Sequence, residues 1–149
     1  MSKVTCLIMW FLAVSLHSVL ALTSEELATI RKDFEPIVAA CSTAHGVSPD
    51  DILKSAKENK NPSDIAPCFL GCVFKMVGVL NDQGMYNAET GLDKIAMYVR
   101  NENEKIKFEK IAKKCASVNQ KDVGDGPAGC ERAKLLLSCI LQNKGELPF

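Results

Sequence analysis

Residues 66–78 read APCFLGCVFKMVG, and inside this run two cysteines, Cys68 and Cys72, stand four apart. Such a pair is half of a metal site, a redox couple, or the start of two separate covalent staples, and the choice sets the fold. Zinc takes four ligands, usually as closely spaced Cys or Cys/His pairs. No second close pair exists, and His45 stands in a stretch that ends at Gly46. Redox motifs place two residues between the sulfurs at a helix N-terminus; here three intervene. On a helix, positions i and i+4 share a face with parallel side-chain directions, which suits two different partners better than one mutual bridge. Staples remain, and they require an oxidising compartment.

The first 21 residues agree. Lys3 supplies a positive start, Cys6 to Leu16 is an apolar run too short for a stable span, and Val19-Leu20-Ala21 offers small residues for a peptidase. Residues 1–21 are therefore expected to be a secretory signal peptide, with 22–149 as one mature domain. Cys6 leaves with the signal, so the seven cysteines become six, an even number. Trp10 and His17 leave too, and His45 is then the sole histidine. Removing Lys3 leaves 17 basic against 18 acidic residues. That balance excludes a nucleic-acid binder and a polybasic membrane anchor.

The mature stretch reads helix after helix. Thr23 and Glu26 have capping-box spacing, and Leu27, Ile30 and Phe34 follow at helical intervals. Pro36 is expected to kink or restart this helix, which continues through Cys41 to Gly46. Ser48-Pro49-Asp50-Asp51 opens a short second helix. A third is expected from about Asp64 to Leu80, a fourth from Ala88 to Arg100, and a fifth after Asn101 to Glu104, through Cys115. Pro127 should open the sixth, which ends near Gly145. Few β-branched runs alternate with period two, so the expected fold is all-α: a compact six-helix domain.

Catalytic readings lack parts. G-x-S-x-G is absent and no histidine stands ready beside a nucleophile. Asp50-Asp51 suit a helix N-terminus electrostatically, and the lysines around Lys105 to Lys114 lie among acids on a solvated face. No catalytic residue, metal ligand or cofactor is expected. For the staples, six cysteines allow 15 pairings. Excluding Cys68 with Cys72, and Cys130 with Cys139 some 13 Å apart along one helix, leaves about ten.

The spacing Cys41-x26-Cys68-x3-Cys72-x42-Cys115-x14-Cys130-x8-Cys139 resembles that of the insect odorant-binding proteins, whose x3 and x8 gaps are the most fixed. The resemblance covers the whole mature chain, with two gaps, x42 and x14, longer than in many members. It implies the pairs Cys41–Cys72, Cys68–Cys130 and Cys115–Cys139, interlocked around an apolar cavity. Candidate cavity walls are Ile30, Phe34, Val73, Met76, Val77, Ile95, Tyr98, Val99, Phe108, Ile111, Leu137 and Ile140, with Phe149 and Leu147 as a terminal lid. Met76, Met85 and Met97 would adapt to varied apolar shapes, and the Tyr98 hydroxyl would orient a polar ligand group. The implied function is a secreted carrier of odorants or pheromones in extracellular lymph. Its partners would be a small apolar ligand and a membrane odorant receptor, and its state a monomer or weak homodimer. Two other readings are a non-olfactory carrier of hormones, amines or lipids, and an extracellular interaction protein with a filled core.

Overall fold

In the computed structural model, which describes residues 22–51, 54 and 65–146, the regular elements among the described residues are helices, and one isolated bridge pairs Leu80 with Tyr86. The expected signal peptide and the terminal lid lie outside the described residues. The helices are α1 (Ser24–His45), α2, described as its opening turn at 49–51, α3 (Pro67–Met76), α4 (Ala88–Tyr98), α5 (Glu102–Cys115) and α6 (Cys130–Gln142). Short 3-10 turns at Ala116–Gln120, Gly126–Ala128 and Lys144–Glu146 fill the joints.

α1 starts on the expected capping box. Glu26 N–H donates to Thr23 Oγ1 at 3.1 Å, and Thr23 N–H donates to Glu26 Oε2 at 2.8 Å. Pro36 does not restart the helix, and α1 runs through it for 22 residues. Proline there removes one hydrogen bond, and Pro36 and Lys32 are both exposed, so the freed carbonyl faces solvent. One rod of roughly 33 Å thus carries Leu27 and Cys41 together. Asn87 caps α4 by accepting from Thr90 N–H at 3.1 Å. Asn101 caps α5 by accepting from the N–H groups of Asn103 and Glu104. The polar residues Asn101 to Glu104, expected to precede the helix, are therefore its cap and first turn.

Two boundaries differ more. α3 opens with Pro67 at its first position and stops at Met76, short of Leu80. Gly78 takes φ 80°, and Phe74 O then accepts from both Val79 N–H and Leu80 N–H, at 2.8 and 3.0 Å. Pro127 falls in a 3-10 turn, and α6 begins at Cys130, where Asp125 Oδ2 accepts from the N–H groups of Cys130 and Glu131.

Three disulfides join these rods: Cys41–Cys72, Cys68–Cys130 and Cys115–Cys139. α3 is the shared member. Cys72 ties it to α1, and Cys68 ties it to the start of α6, whose Cys139 holds α5. The fourth residue of C-F-L-G-C sits where α3 passes close to the start of α6. A Cβ on Gly71 would stand 3.2 Å from Gly129 O and 3.4 Å from Cys130 Cα. Around this joint, Cys41, Phe69, Leu70, Leu80 and Ala133 form one buried cluster; Ile111, Cys115, Val118 and Leu136 form a second. Phe74 and Tyr86 pack against both.

α4 has no cysteine and is placed by weaker ties. Glu26 Oε1 accepts from Arg100 N–H at 3.3 Å, so one carboxylate holds the start of α1 to the end of α4. These hydrogen bonds, that from Thr23 N–H foremost, hold the Glu26 carboxyl below its ordinary pKa.

Gly71→Ala is expected to destabilise the oxidised protein by about 1–2 kcal/mol in chemical denaturation. Overpacking of about 1–3 kcal/mol against backbone that cannot retreat outweighs a helix-propensity gain of about 1 kcal/mol. Gly91→Ala in α4, where a Cβ meets nothing closer than 3.9 Å, should be neutral or stabilising. Glu26→Gln should cost about 1 kcal/mol at neutral pH, where the native carboxylate is ionised. Because the folded pKa is lowered, that difference is full above the ordinary value of about 4.3 and shrinks as pH falls below it. Parallel melts of both proteins at neutral and acid pH read this directly.

Candidate functional site: an apolar cavity

Between α1, the α3–α4 connection, α4, α5 and α6 lies a cavity of about 560 Å³. α1 contributes Leu27, Ile30, Phe34 and Ile37 at helical spacing. α4 contributes Gly91, Ile95 and Tyr98, followed by Val99. Phe74, Tyr86, Ala112 and Leu136 form the inner wall, where the cavity meets the two packed clusters. Phe108 and Ile140 close it along α5 and α6. Among the wall residues Leu27 and Met76, 48% and 55% exposed, are joined by Asp33 and Lys94 as the exposed side chains, so the rim that meets solvent includes all four.

The polar groups on this wall are few, and most are engaged. Tyr98 hydroxyl donates to Asp33 Oδ2 at 2.9 Å, and its ring tilts against Phe34 with centroids 6.4 Å apart. Partial burial, with Asp33 beside it, pushes the Tyr98 phenol above its ordinary pKa. The hydroxyl expected to orient a ligand is thus already committed as a donor to α1. Tyr86 is fixed by its backbone. Its N–H donates to Asn119 Oδ1 at 2.9 Å, and Asn119 Nδ2 donates back to Tyr86 O at 2.8 Å. Its hydroxyl makes a long contact, 3.5 Å, with Ala112 O, and burial pushes its pKa up. Asp33 and Lys94 are the charged side chains on the wall, both exposed.

Of the residues proposed from sequence, Ile30, Phe34, Met76, Val77, Ile95, Tyr98, Val99, Phe108 and Ile140 surround the cavity. Val73, Ile111 and Leu137 do not: Ile111 is 4% exposed in the second cluster, while Val73 and Leu137 pack on the first. Their chain neighbours Phe74, Ala112 and Leu136 take the cavity positions instead. Met97 is 70% exposed and away from the cavity, and Met85 lies against the Arg132 guanidinium. His45 ends α1 and is not on the wall. Phe149 and Leu147 lie outside the described residues. Sequence reading missed Leu22, Leu27, Ile37, Val79 and Tyr86. Leu27 and Ile37 extend the α1 stripe already visible in Ile30 and Phe34, and could have been found from it; Leu22 precedes the helix cap.

Among the described residues no group of three or more His, Cys, Asp or Glu side chains could hold a metal ion. No described helix is long and apolar enough to cross a membrane.

Comparison with known proteins bears on this cavity. The PBP/GOBP family model matches residues 23–143, which include all six disulfide cysteines. The B1 protein of Tenebrio molitor is 28% identical over 131 residues, 88% of this chain and 90% of that protein. General odorant-binding protein 28a of Drosophila melanogaster is 26% identical over 102 residues, 68% of each chain. No solved structure matches significantly. With the match spanning every element that builds the cavity, the chain belongs to the PBP/GOBP family, the insect odorant-binding proteins.

Proposed function

We propose that this protein is a secreted carrier that takes small apolar molecules, odorants or pheromones, into the α1–α4–α5–α6 cavity and delivers them to olfactory receptors. On this reading residues 1–21 are a signal peptide, residues 22–149 act in extracellular lymph, and the protein performs no catalysis. The observation that carries the proposal is the cavity itself: about 560 Å³, walled by aliphatic and aromatic side chains, with its two tyrosine hydroxyls engaged within the protein. That volume lies within the roughly 300–1,000 Å³ of small-molecule sites. The family match and the name of the Drosophila relative support an odorant as the ligand.

The energetics suit a carrier that must release. Burying about 250 Å² of apolar ligand surface at about 25 cal/mol per Å² contributes about 6 kcal/mol. Dispersion contacts with the walls bring this to the micromolar range, about 8 kcal/mol. An interaction protein with a filled core is hard to reconcile with the hollow.

Ile30, Phe34, Met76, Val77, Ile95, Tyr98, Val99, Phe108 and Ile140 are proposed to touch the ligand, with Leu27, Ile37, Phe74, Val79, Tyr86, Ala112 and Leu136 completing the wall. The mature, oxidised protein should bind the apolar dye N-phenyl-naphthylamine saturably with micromolar affinity, read by dye emission; residues 22–149 contain no Trp to interfere. Absence of saturable binding by correctly bridged protein would count against the carrier. Ile95→Trp, which pushes an indole into the cavity, should weaken the dye by roughly tenfold or more. An unchanged far-UV circular dichroism spectrum would show that the helices survive.

A further inference from the structure

The cavity wall carries information about the ligand's polar end. α4 faces the cavity with Gly91, Lys94, Ile95 and Tyr98, an i, i+3, i+4, i+7 stripe. α1 faces it with Leu27, Ile30, Asp33, Phe34 and Ile37. Each stripe is broken once by a charge, at positions where an amphipathic helix calls for an apolar side chain. The two charges differ in what they have left to offer. Asp33 Oδ2 accepts the Tyr98 hydroxyl at 2.9 Å, which ties the acid to the α1–α4 contact. Lys94 has no ion-pair or hydrogen-bond partner among the described residues. The residues one turn away on its own helix, Thr90, Gly91, Met97 and Tyr98, include no carboxylate.

The lysines of α5 show the contrast. Lys105, Lys107 and Lys113 pair with Glu102, Glu104 and Glu109 on the same helix, at 2.7, 3.0 and 2.5 Å, and Lys110 pairs with Glu146 at 3.2 Å. Those are the charges of a solvated helical face. Lys94 instead sits on the cavity side, where its aliphatic stem can lie along the apolar wall while the ammonium stays at the mouth.

We infer that the ligands this cavity takes best are amphiphiles with an anionic head, a carboxylate above all, seated on Lys94, and an apolar tail running inward past Ile95 and Phe34 to Phe74. This deepens the carrier reading and rests on it. A head held at the mouth keeps part of its hydration, so the ion pair escapes the cost of full desolvation. The Tyr98 proton, given to Asp33, does not compete for the carboxylate. A cationic head would be repelled by Lys94 and could pair only with Asp33, whose Oδ2 already takes the Tyr98 hydroxyl and whose Oδ1 is open, so the amine is the control that separates the two charges.

The test is displacement of N-phenyl-naphthylamine from the mature oxidised protein by dodecanoate, dodecanol and dodecylammonium, each below its micelle concentration, at neutral pH. Dodecanoate should bind about three- to tenfold more tightly than dodecanol, and added salt should shrink the gap. In Lys94→Met, which keeps the stem and removes the charge, the acid-to-alcohol ratio should fall to about one, while Lys110→Met on the outer face of α5 should keep it. Equal affinity for acid and alcohol, tighter binding of the amine, or an acid preference that survives Lys94→Met overturns the inference and leaves the carrier reading intact. If neither the dye nor any of the three chains binds, the carrier reading falls and this inference with it.

Discussion

Helix α3 meets the start of α6 closely enough that a Cβ at Gly71 would press on the Gly129–Cys130 backbone, and the Cys68–Cys130 bridge locks the two backbones there. The other large-scale placements follow from that joint. Cys72, one turn further along α3, draws α1 against the opposite side. α6 leaves the joint with its direction set by Asp125 at its first N–H groups, and its far end holds α5 through Cys139. In the chain-entropy account, closing loops with separations of 24 to 62 residues stabilises the fold by about 3–4.5 kcal/mol per bridge. That stabilisation comes from restricting the unfolded chain and does not depend on filling the interior. A domain of this size can therefore leave its middle hollow, where one relying on packing alone would meet the cost of missing contacts.

The hollow is shaped by what stays outside the covalent network. Three of its walls, α1, α5 and α6, are tied directly or through α3. α4, the wall that carries Lys94 and Tyr98, is positioned by the Asp33 and Glu26 carboxylates and by side-chain packing. The inner wall shares Phe74 and Tyr86 with both packed clusters, so the boundary between core and cavity is a single layer of side chains.

Which parts of this were legible in the sequence follows the range of the physics. Caps are local: Thr23 with Glu26 and Ser48 before Asp50 were readable because donor and acceptor lie within three residues. The end of α3 was not. Val77, Val79 and Leu80 continue the apolar pattern, and the left-handed Gly78 ends the helix only because the chain must turn back toward Tyr86. Pro36 does not restart the helix, since losing one hydrogen bond on a solvent-facing side does not stop a rod held at both ends. The bridge pairing came from resemblance to a family, because several topologies satisfy the geometric exclusions equally. For the cavity, the misplacements are all of one kind. Val73, Ile111 and Leu137 were chosen where Phe74, Ala112 and Leu136 line the space, each one residue, or about 100° of helix, away. Periodicity finds the apolar arc of a helix; which edge of that arc faces atoms and which faces a void depends on the neighbouring helices.

The overlap of the three bridges has a consequence for what a protease can do to the molecule. The spans 41–72, 68–130 and 115–139 cover one another without a gap. A single peptide-bond cleavage anywhere between Cys41 and Cys139, including the whole connection from α1 to α3, leaves both pieces covalently joined. Nicking alone thus releases no fragment from this region: the chain is shed only after reduction or a second cut.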